Sequence, residues 1–448
     1  MHDWEYLTQP AAGELQTRPQ TRGGLIARRS FVRGFGAIAA FRPLQSAAAQ
    51  DPERPKPTPK PLERSAISNR WGEVKPAKIQ VEHITVFRGR EGEAYSHVAE
   101  LTSHEGKLHA TWALGLRDEE APGQRMVMST SEDSGRTWSA PTTIAPSRHG
   151  KSFQSNVSSC GLRILPDGRF VAYSAEWEWE PSAYDPGGSR RDHPISDPAM
   201  GHEQRLWKTD QGRTEARVST DNGRTWSEPV VVAAKQESWF SPVMVRSGRL
   251  ILPGNFGVCH FTDDPAGLTG WKRASIPGIP EGHHDSYFHS FQAAKLLGIK
   301  ERFCEACVYQ TDDGVIHMMM RNDGGKTLGV TESHDNGLTW SAPMLTAFVD
   351  SNCRAHFGKL PGGRFFAVSC PAPGRTPLVL AISEDGVTFD RHYILGDEPS
   401  RRPRIPGKAK GGRYGYPYLH VRGDEAFVIY TVHKDDVAVG RFPLSAIR

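Results

Sequence analysis

The sequence predicts an all-β chain closed into a six-bladed β-propeller, and three observations predict it. An octapeptide turn motif recurs along the chain, six apolar hairpins with a glycine-bearing turn are spaced between its copies, and helix signals are scarce. Composition agrees with a folded chain: 37% of the 448 residues are hydrophobic and 24% charged, too apolar for a disordered polymer. No run of 18 or more apolar residues offers a membrane span.

The repeat is the strongest signal. Ser131, Asp133, Gly135, Thr137 and Trp138 return at the same spacing as Ser219, Asp221, Gly223, Thr225 and Trp226, and again as Ser333, Asp335, Gly337, Thr339 and Trp340. A shortened copy runs from Ser383 through Asp385 and Gly386 to Phe389, and a stretched one from Thr262 to Trp271. Such a motif makes a tight turn: Asp bonds the backbone of its own turn, Gly takes a positive φ, and Thr-Trp begins the next strand with its indole packed inward.

From the N-terminus, residues 1–49 read as a leader. Six arginines stand there against Asp3, Glu5 and Glu14, so most of the formal charge of +4 lies in this segment and the remainder is nearly neutral. A nucleic-acid partner is therefore not expected. Arg28-Arg29-Ser30-Phe31-Val32, the small apolar stretch 34–41 and Ala47-Ala48-Ala49 resemble a twin-arginine export signal with its cleavage site. That implies a periplasmic or secreted protein with no membrane segment once the signal is removed. Residues 50–75 are a Pro-rich linker, with five prolines between 52 and 61. The six cysteines are few for this length, so no disulfide framework is required.

Residues 76–448 form the propeller. Its hairpins fall at 101–112, 162–173, 243–252, 308–321, 357–368 and 419–430, each an apolar strand, a polar turn and a second apolar strand. Six hairpins interleaved with the turn motif give six four-stranded blades around one axis.

The turn motif resembles the Asp-box of the sialidase superfamily, the six-bladed BNR-repeat propellers that include bacterial exo-α-sialidases. The resemblance extends from about residue 80 onward and implies fold, since Asp-boxes are structural turns. It also implies where chemistry would lie, at the axial end where inner strands and long loops converge. Sialidases split a ketoside whose anomeric carbon carries a carboxylate, which would repel a carboxylate nucleophile. The family uses a tyrosine nucleophile activated by a glutamate, an arginine clamp on the substrate carboxylate, and a separate acid/base carboxyl. Arginine suits the clamp because its planar fork binds a carboxylate bidentately.

Carried over residue by residue, the segment from Glu305 through Gly314 to Arg321 resembles the hairpin that bears the activating glutamate and a clamp arginine. Across one hairpin Glu305 and Arg321 should be neighbours, which a structural cross-strand pair would satisfy equally. Arg375, after Ser369-Cys370-Pro371, matches the place of another clamp arginine. Tyr416 is placed best as nucleophile, with Tyr414 and Tyr418 as alternatives. His97 stands where the family has its first clamp arginine, with Arg88 or Arg90 close enough in sequence to compensate. The acid/base carboxyl is expected between Arg117 and Gly123, at Glu120 or Asp118.

Other features fit less specific roles. Cys304 and Cys307 have metal-ligand spacing but no second pair, and Gly282-His283-His284-Asp285 with His289 is a His-rich loop. Trp177, Trp179, Trp239 and Phe240 could stack on sugar rings or fill a blade interface. No metal or cofactor is expected.

Three functions stay open: an exported exo-glycoside hydrolase acting as a monomer on sialic acid or a related acidic sugar, with retention; a propeller lyase acting on uronate glycans; and a non-catalytic carbohydrate-binding propeller. An acidic glycan or glycoconjugate is the partner in each.

Overall fold

The computed structural model describes residues 59–447 apart from 120–122, 149–153, 180–206, 286–288, 350 and 408. The leader at 1–49, the first part of the linker and Glu120 lie outside the described residues. None of the described helices is long and apolar enough to cross a membrane.

Six antiparallel sheets follow one another in sequence as the blades of a propeller. The first contains Tyr95–His104, Lys107–Gly115, Arg125–Ser131 and Thr142–Ala145. The second contains Gln154–Ile164, Phe170–Trp179, Trp207–Ser219 and Val230–Ala234, and the third runs from Val243–Met244 to Lys272–Ala274. The fourth begins with Phe303–Gln310 and Ile316–Asn322, and the fifth with His356–Lys359 and Phe365–Ser369. The sixth closes the ring: Gly415–Arg422, Glu425–Val432 and Asp436–Pro443 from the C-terminal end take Glu82–Phe87 as their fourth strand, with Val439 opposite Ile84. This pairing joins the first blade's side of the ring to the last within one sheet. Each of the six hairpins read in the sequence is the inner pair of one blade.

Part of the segment 50–75 is built into the sheet. Arg64–Ser68 pairs in parallel with Met344–Val349 as an added outer strand of the fourth blade, because Ile67 is an apolar side chain that buries there.

The repeated turns hold themselves together. In the first, Ser131 donates to Asp133 Oδ1 (2.9 Å), which also accepts from the amides of Arg136 (3.0 Å) and Thr137 (2.8 Å), while Gly135 sits at φ 83°. The Trp138 indole donates to the Gly135 carbonyl (3.0 Å). Asp221, Asp335 and Asp385 repeat the turn, and Asp264 holds the stretched version through the amides of Ala266, Leu268 and Thr269.

Inner strands carry a second recurring device. Their registers slip between His97 and Glu100, Ser159 and Leu162, Cys304 and Cys307, and Gly415 and Tyr418. At these bulges Val98, Gly161, Glu305 and Tyr416 adopt positive φ, three of them without the freedom of glycine. A non-glycine residue there costs about 1–2 kcal/mol, and bulges of this kind re-aim side chains near functional sites. Gly161 is required by space as well, since a Cβ there would stand 1.9 Å from Glu100 Oε2.

Burial of imidazoles makes the fold acid-sensitive. Burial pushes the histidines at 109, 260 and 420 down to about 4, and burial holds His97 and His356 well below the ordinary value. Neutral imidazoles stabilise the folded chain above pH about 6.5, and that contribution is lost as pH falls toward 4. Each of the three contributes about 2 kcal/mol less at pH 5 than at pH 7.5. The buried carboxyls of Glu100 and Asp285, raised by burial, offset part of the loss. Urea unfolding should therefore show a lower midpoint at pH 5 than at pH 7.5; an unchanged midpoint would contradict this balance.

Candidate active site

Two of the bulges aim their side chains at each other. Glu305, on the inner strand of the fourth blade, and Tyr416, on that of the sixth, are 111 positions apart in sequence, yet the Tyr416 hydroxyl donates to Glu305 Oε1. Arg321, across the hairpin from Cys304, donates through Nη1 to both Glu305 oxygens at 2.9 Å and to the Tyr416 oxygen at 2.8 Å. Its Nε donates to Asp323 Oδ1 at 2.8 Å. The conformation of Glu305 is fixed from behind, where its amide donates to Asn255 Oδ1 (2.8 Å) and the Asn255 amide donates to Asp285 (2.7 Å).

Tyr414 and Tyr418 stand elsewhere. Tyr414 packs edge-on against Tyr430 and accepts from the Glu398 amide at 3.3 Å. Tyr418 is stacked on His356 with ring centroids 3.9 Å apart. Among the three tyrosines, Tyr416 is the one joined to Glu305 and Arg321.

Four cations surround the Tyr416 ring or its neighbour His97. The Arg375 guanidinium lies 5.2 Å from the Tyr416 ring centroid, and Arg354 lies 5.5 Å from it. His97 packs on the ring at 3.9 Å. Burial drives the His97 pKa well down, and Lys434, Arg375, Arg354 and Arg321 push in the same direction, so the imidazole is neutral. It cannot replace a clamp arginine by charge. Arg88 is exposed and joins none of these groups.

Three of the cations already hold carboxylates. Arg321 takes Glu305 and Asp323, Arg354 takes Glu100 (3.3 Å), and Lys434 takes Glu119. Arg375 has no carboxylate partner among the described residues. Its Nη2 donates to the Asn352 carbonyl at 2.8 Å, and its buried Nη1 has no protein acceptor. A buried guanidinium N–H without an acceptor is an open place for an anion.

Burial pushes the Tyr416 pKa far up and the charge of Glu305 adds to it, while Arg321 and Arg375 pull the other way. The phenol is therefore protonated at rest, with its proton directed at a carboxylate that can accept it. Burial also disfavours the charge of Arg321, but Asp323, Glu305 and Tyr416 outweigh that and keep the guanidinium charged.

In the loop after the first hairpin, Asp118 is buried beside Gly407 and acts electrostatically on Lys410, and Glu120 lies outside the described residues. The carboxyl facing the site is Glu119, which lies 3.4 Å from the Tyr95 hydroxyl and 3.7 Å from His97 Nε2. Sequence reasoning passed over Glu119 between two candidates, and it missed Lys434, Arg354 and Asn255. Lys434, in the run His433-Lys434-Asp435-Asp436, and Arg354 have no motif around them. Asn255 carried no signal.

Trp177, Trp239 and Phe240 are core rather than rim. The two indoles are buried 6.3 Å apart, and Phe240 lies under the Arg354 guanidinium at 3.9 Å. Among the described residues no group of three or more His, Cys, Asp or Glu side chains could hold a metal ion. Cys304 and Cys307 are both buried, and none of the six cysteines is in a disulfide.

Comparison with known proteins bears on the family and the fold. The BNR repeat-like domain family matches residues 198–429. A sialidase of Bacteroides fragilis is 25% identical over 258 residues, 51% of this chain and 42% of its own. The chain thus spans less than half the length of that relative. Among solved structures, a sialidase superposes over 86% of this chain and 35% of its own, with a TM-score of 0.55 and 17% identity. The NanB sialidase of Streptococcus pneumoniae covers 84% of this chain and 71% of its own (TM-score 0.55, 12% identity). For Trypanosoma rangeli sialidase the shares are 82% and 60% (TM-score 0.54, 13% identity). These likenesses carry the fold.

Proposed function

The chain belongs to the BNR repeat-like domain family, and from that premise we propose that it is a retaining exo-glycoside hydrolase of the sialidase type, acting on a terminal acidic sugar. The observation that carries this reading is the contact of the Tyr416 hydroxyl with Glu305 under the Arg321 guanidinium. A buried phenol aimed at a carboxylate is an activated nucleophile, and it spares an anionic substrate the approach of a second carboxylate.

The proposed steps use the placement of Arg375, Tyr416, Glu305 and Glu119. The sugar carboxylate is held by the open Nη1 of Arg375 beside Arg321. Tyr416 attacks the anomeric carbon as Glu305 takes the phenolic proton, and the developing charge falls between Glu305, Arg321 and Arg375. Glu119, in the position of Glu120 or Asp118 in the sequence reading, protonates the leaving oxygen and then activates the water that releases the sugar. Two displacements at one carbon retain its configuration.

The reading is tested by incubating the protein with a panel of sialosides and uronate glycans and identifying products by mass spectrometry. A free acidic monosaccharide is the expected product. An unsaturated uronate product absorbing in the ultraviolet would mark a lyase, and binding without turnover a lectin-like propeller; either would overturn the proposal. Arg375→Met should raise KM about tenfold or more with a smaller change in kcat, because it removes substrate binding and leaves Tyr416 and Glu305 in place.

A further inference from the structure

The charge arrangement around Tyr416 carries a consequence for substrate binding that rests on the reading above. Three cations, Arg321, Arg375 and Lys434, stand against three carboxylates, Glu305, Asp323 and Glu119. Beneath lies the Arg354–Glu100 pair, its carboxyl raised to about 7 by burial, and Cys353 accepts from the Tyr416 amide, its thiol raised by burial but drawn down overall to about 6 by the Cys370 hydrogen bond and the charges of Arg375 and Arg321. An incoming sugar carboxylate adds a fourth carboxylate to these three cations. Burying an uncompensated charge is unfavourable, and uptake of one proton removes the excess.

Where that proton goes is decided by how each carboxylate is held. Glu305 receives two hydrogen bonds from Arg321 and one from Tyr416. Asp323 is held by Arg321 Nε. Glu119 is held by one flexible ammonium, Lys434, with the Tyr95 hydroxyl at the edge of hydrogen-bond range. Lys434 Nζ also donates to the Ala409 carbonyl at 2.9 Å, a contact that keeps the ammonium at the site when it exchanges Glu119 for another carboxylate. Burial lowers the Lys434 pKa while the Glu119 charge raises it, and Arg375 and Arg321 lower it further. A second anion beside those three cations is thus favourable for Lys434. The adjacent Asp435 does not compete for it, being paired with Lys410.

We propose that Lys434 is the third substrate-binding cation of this site, supplied from the last blade where His97 replaces the first-blade arginine, and that its transfer from Glu119 to the substrate carboxylate loads Glu119 with a proton from solvent. Substrate binding then creates the acid that the leaving oxygen needs. In the empty site Glu119 is an ion-paired carboxylate and a poor proton donor; in the occupied site it is a carboxylic acid facing Tyr95, His97, Tyr416 and Arg375. Its proton passes to the aglycone, and the carboxylate that remains is the base for the second displacement. Only substrates with a carboxylate arm the site, so a neutral sugar that fitted the pocket would bind without being cleaved.

Calorimetric binding of N-acetylneuraminic acid at pH 6.5, in two buffers of different ionisation enthalpy, counts the protons taken up without any turnover. The wild-type protein should take up about one proton per sugar bound. Glu119→Gln, which keeps the shape of the side chain, should bind the sugar with uptake near zero. Lys434→Met should bind about tenfold more weakly or worse, because it removes a cation that would face the sugar carboxylate. Uptake that survives in Glu119→Gln would assign the proton to another group of the site, His97, Cys353 or Glu100, and overturn the proposal, as would unchanged affinity in Lys434→Met. Binding by wild type without uptake would overturn the proton coupling alone. No binding of any acidic sugar by wild type would instead overturn the reading of the site itself.

Discussion

Tyr416→Phe is expected to lower kcat on a 4-methylumbelliferyl sialoside by about a thousandfold or more while leaving the fold intact. The substitution removes one oxygen atom. That oxygen donates to Glu305 and accepts from Arg321 at 2.8 Å, so its loss deletes the atom proposed to attack and leaves both charged partners still joined by two contacts of 2.9 Å. The pair survives, so stability should change little and the loss should fall on kcat rather than KM. Glu305→Gln should be nearly as damaging, because it removes the acceptor of the phenolic proton and a neutral amide holds Arg321 less firmly. Substituting Tyr414 or Tyr418 with Phe should leave activity within a few-fold, since neither hydroxyl reaches this group. Steady-state kinetics alongside thermal melts distinguish these outcomes. A Tyr416→Phe protein with unchanged kcat would remove the nucleophile from the account.

Arg354→Met is expected to be the most destabilising single change, about 3–5 kcal/mol. Arg354 is fully buried at the axis, bonded to Glu100 and to the carbonyls of Ala99 and Trp239 and lying flat on Phe240. Removing it leaves the Glu100 carboxyl in a buried site with only Ser241, 3.3 Å away, to donate to it. Burial already raises the Glu100 pKa to about 7 against the attraction of Arg354. For a carboxyl raised in this way, the contribution to stability is fully present below the unfolded value near 4.5 and is lost as pH rises through the folded value. The deficit of Arg354→Met should therefore be larger at pH 8 than at pH 5.5, where Glu100 is protonated and leaves no unpaired anion. Adding Glu100→Gln to Arg354→Met should recover part of the loss at pH 8 and little at pH 5.5. Urea unfolding at the two pH values reads both effects, and a deficit independent of pH would contradict the assignment.

What could be read from the sequence was what depends on nearby residues. The Asp133, Asp221 and Asp335 turns close within eight residues, and alternation along 308–321 or 419–430 declares a half-buried strand without help from the rest of the chain. Glu305 and Arg321 face each other across a single hairpin, so their contact was also within reach. The rest is decided by contacts between blades. Lys434 meets Glu119 over 315 positions and Arg354 meets Glu100 over 254, and no spacing rule connects such pairs. Three acidic residues follow one another at 118–120, and only the approach of Lys434 distinguishes the one that turns inward. Trp177 and Trp239 had the composition of a sugar platform, but packing between neighbouring blades buries them. The bulges at Glu305 and Tyr416 are equally invisible in composition, since neither residue prefers the left-handed backbone that the surrounding sheet imposes.

The proposed covalent bond between Tyr416 and the sugar during turnover can be trapped by incubating the protein with a 3-fluorosialosyl fluoride, whose ring fluorine slows release of the intermediate, followed by proteolysis and mass spectrometry. One fluorosialyl adduct is expected, on the peptide containing Tyr416, absent from Tyr416→Phe. An adduct on another residue, or turnover of the fluoride with none, would contradict it.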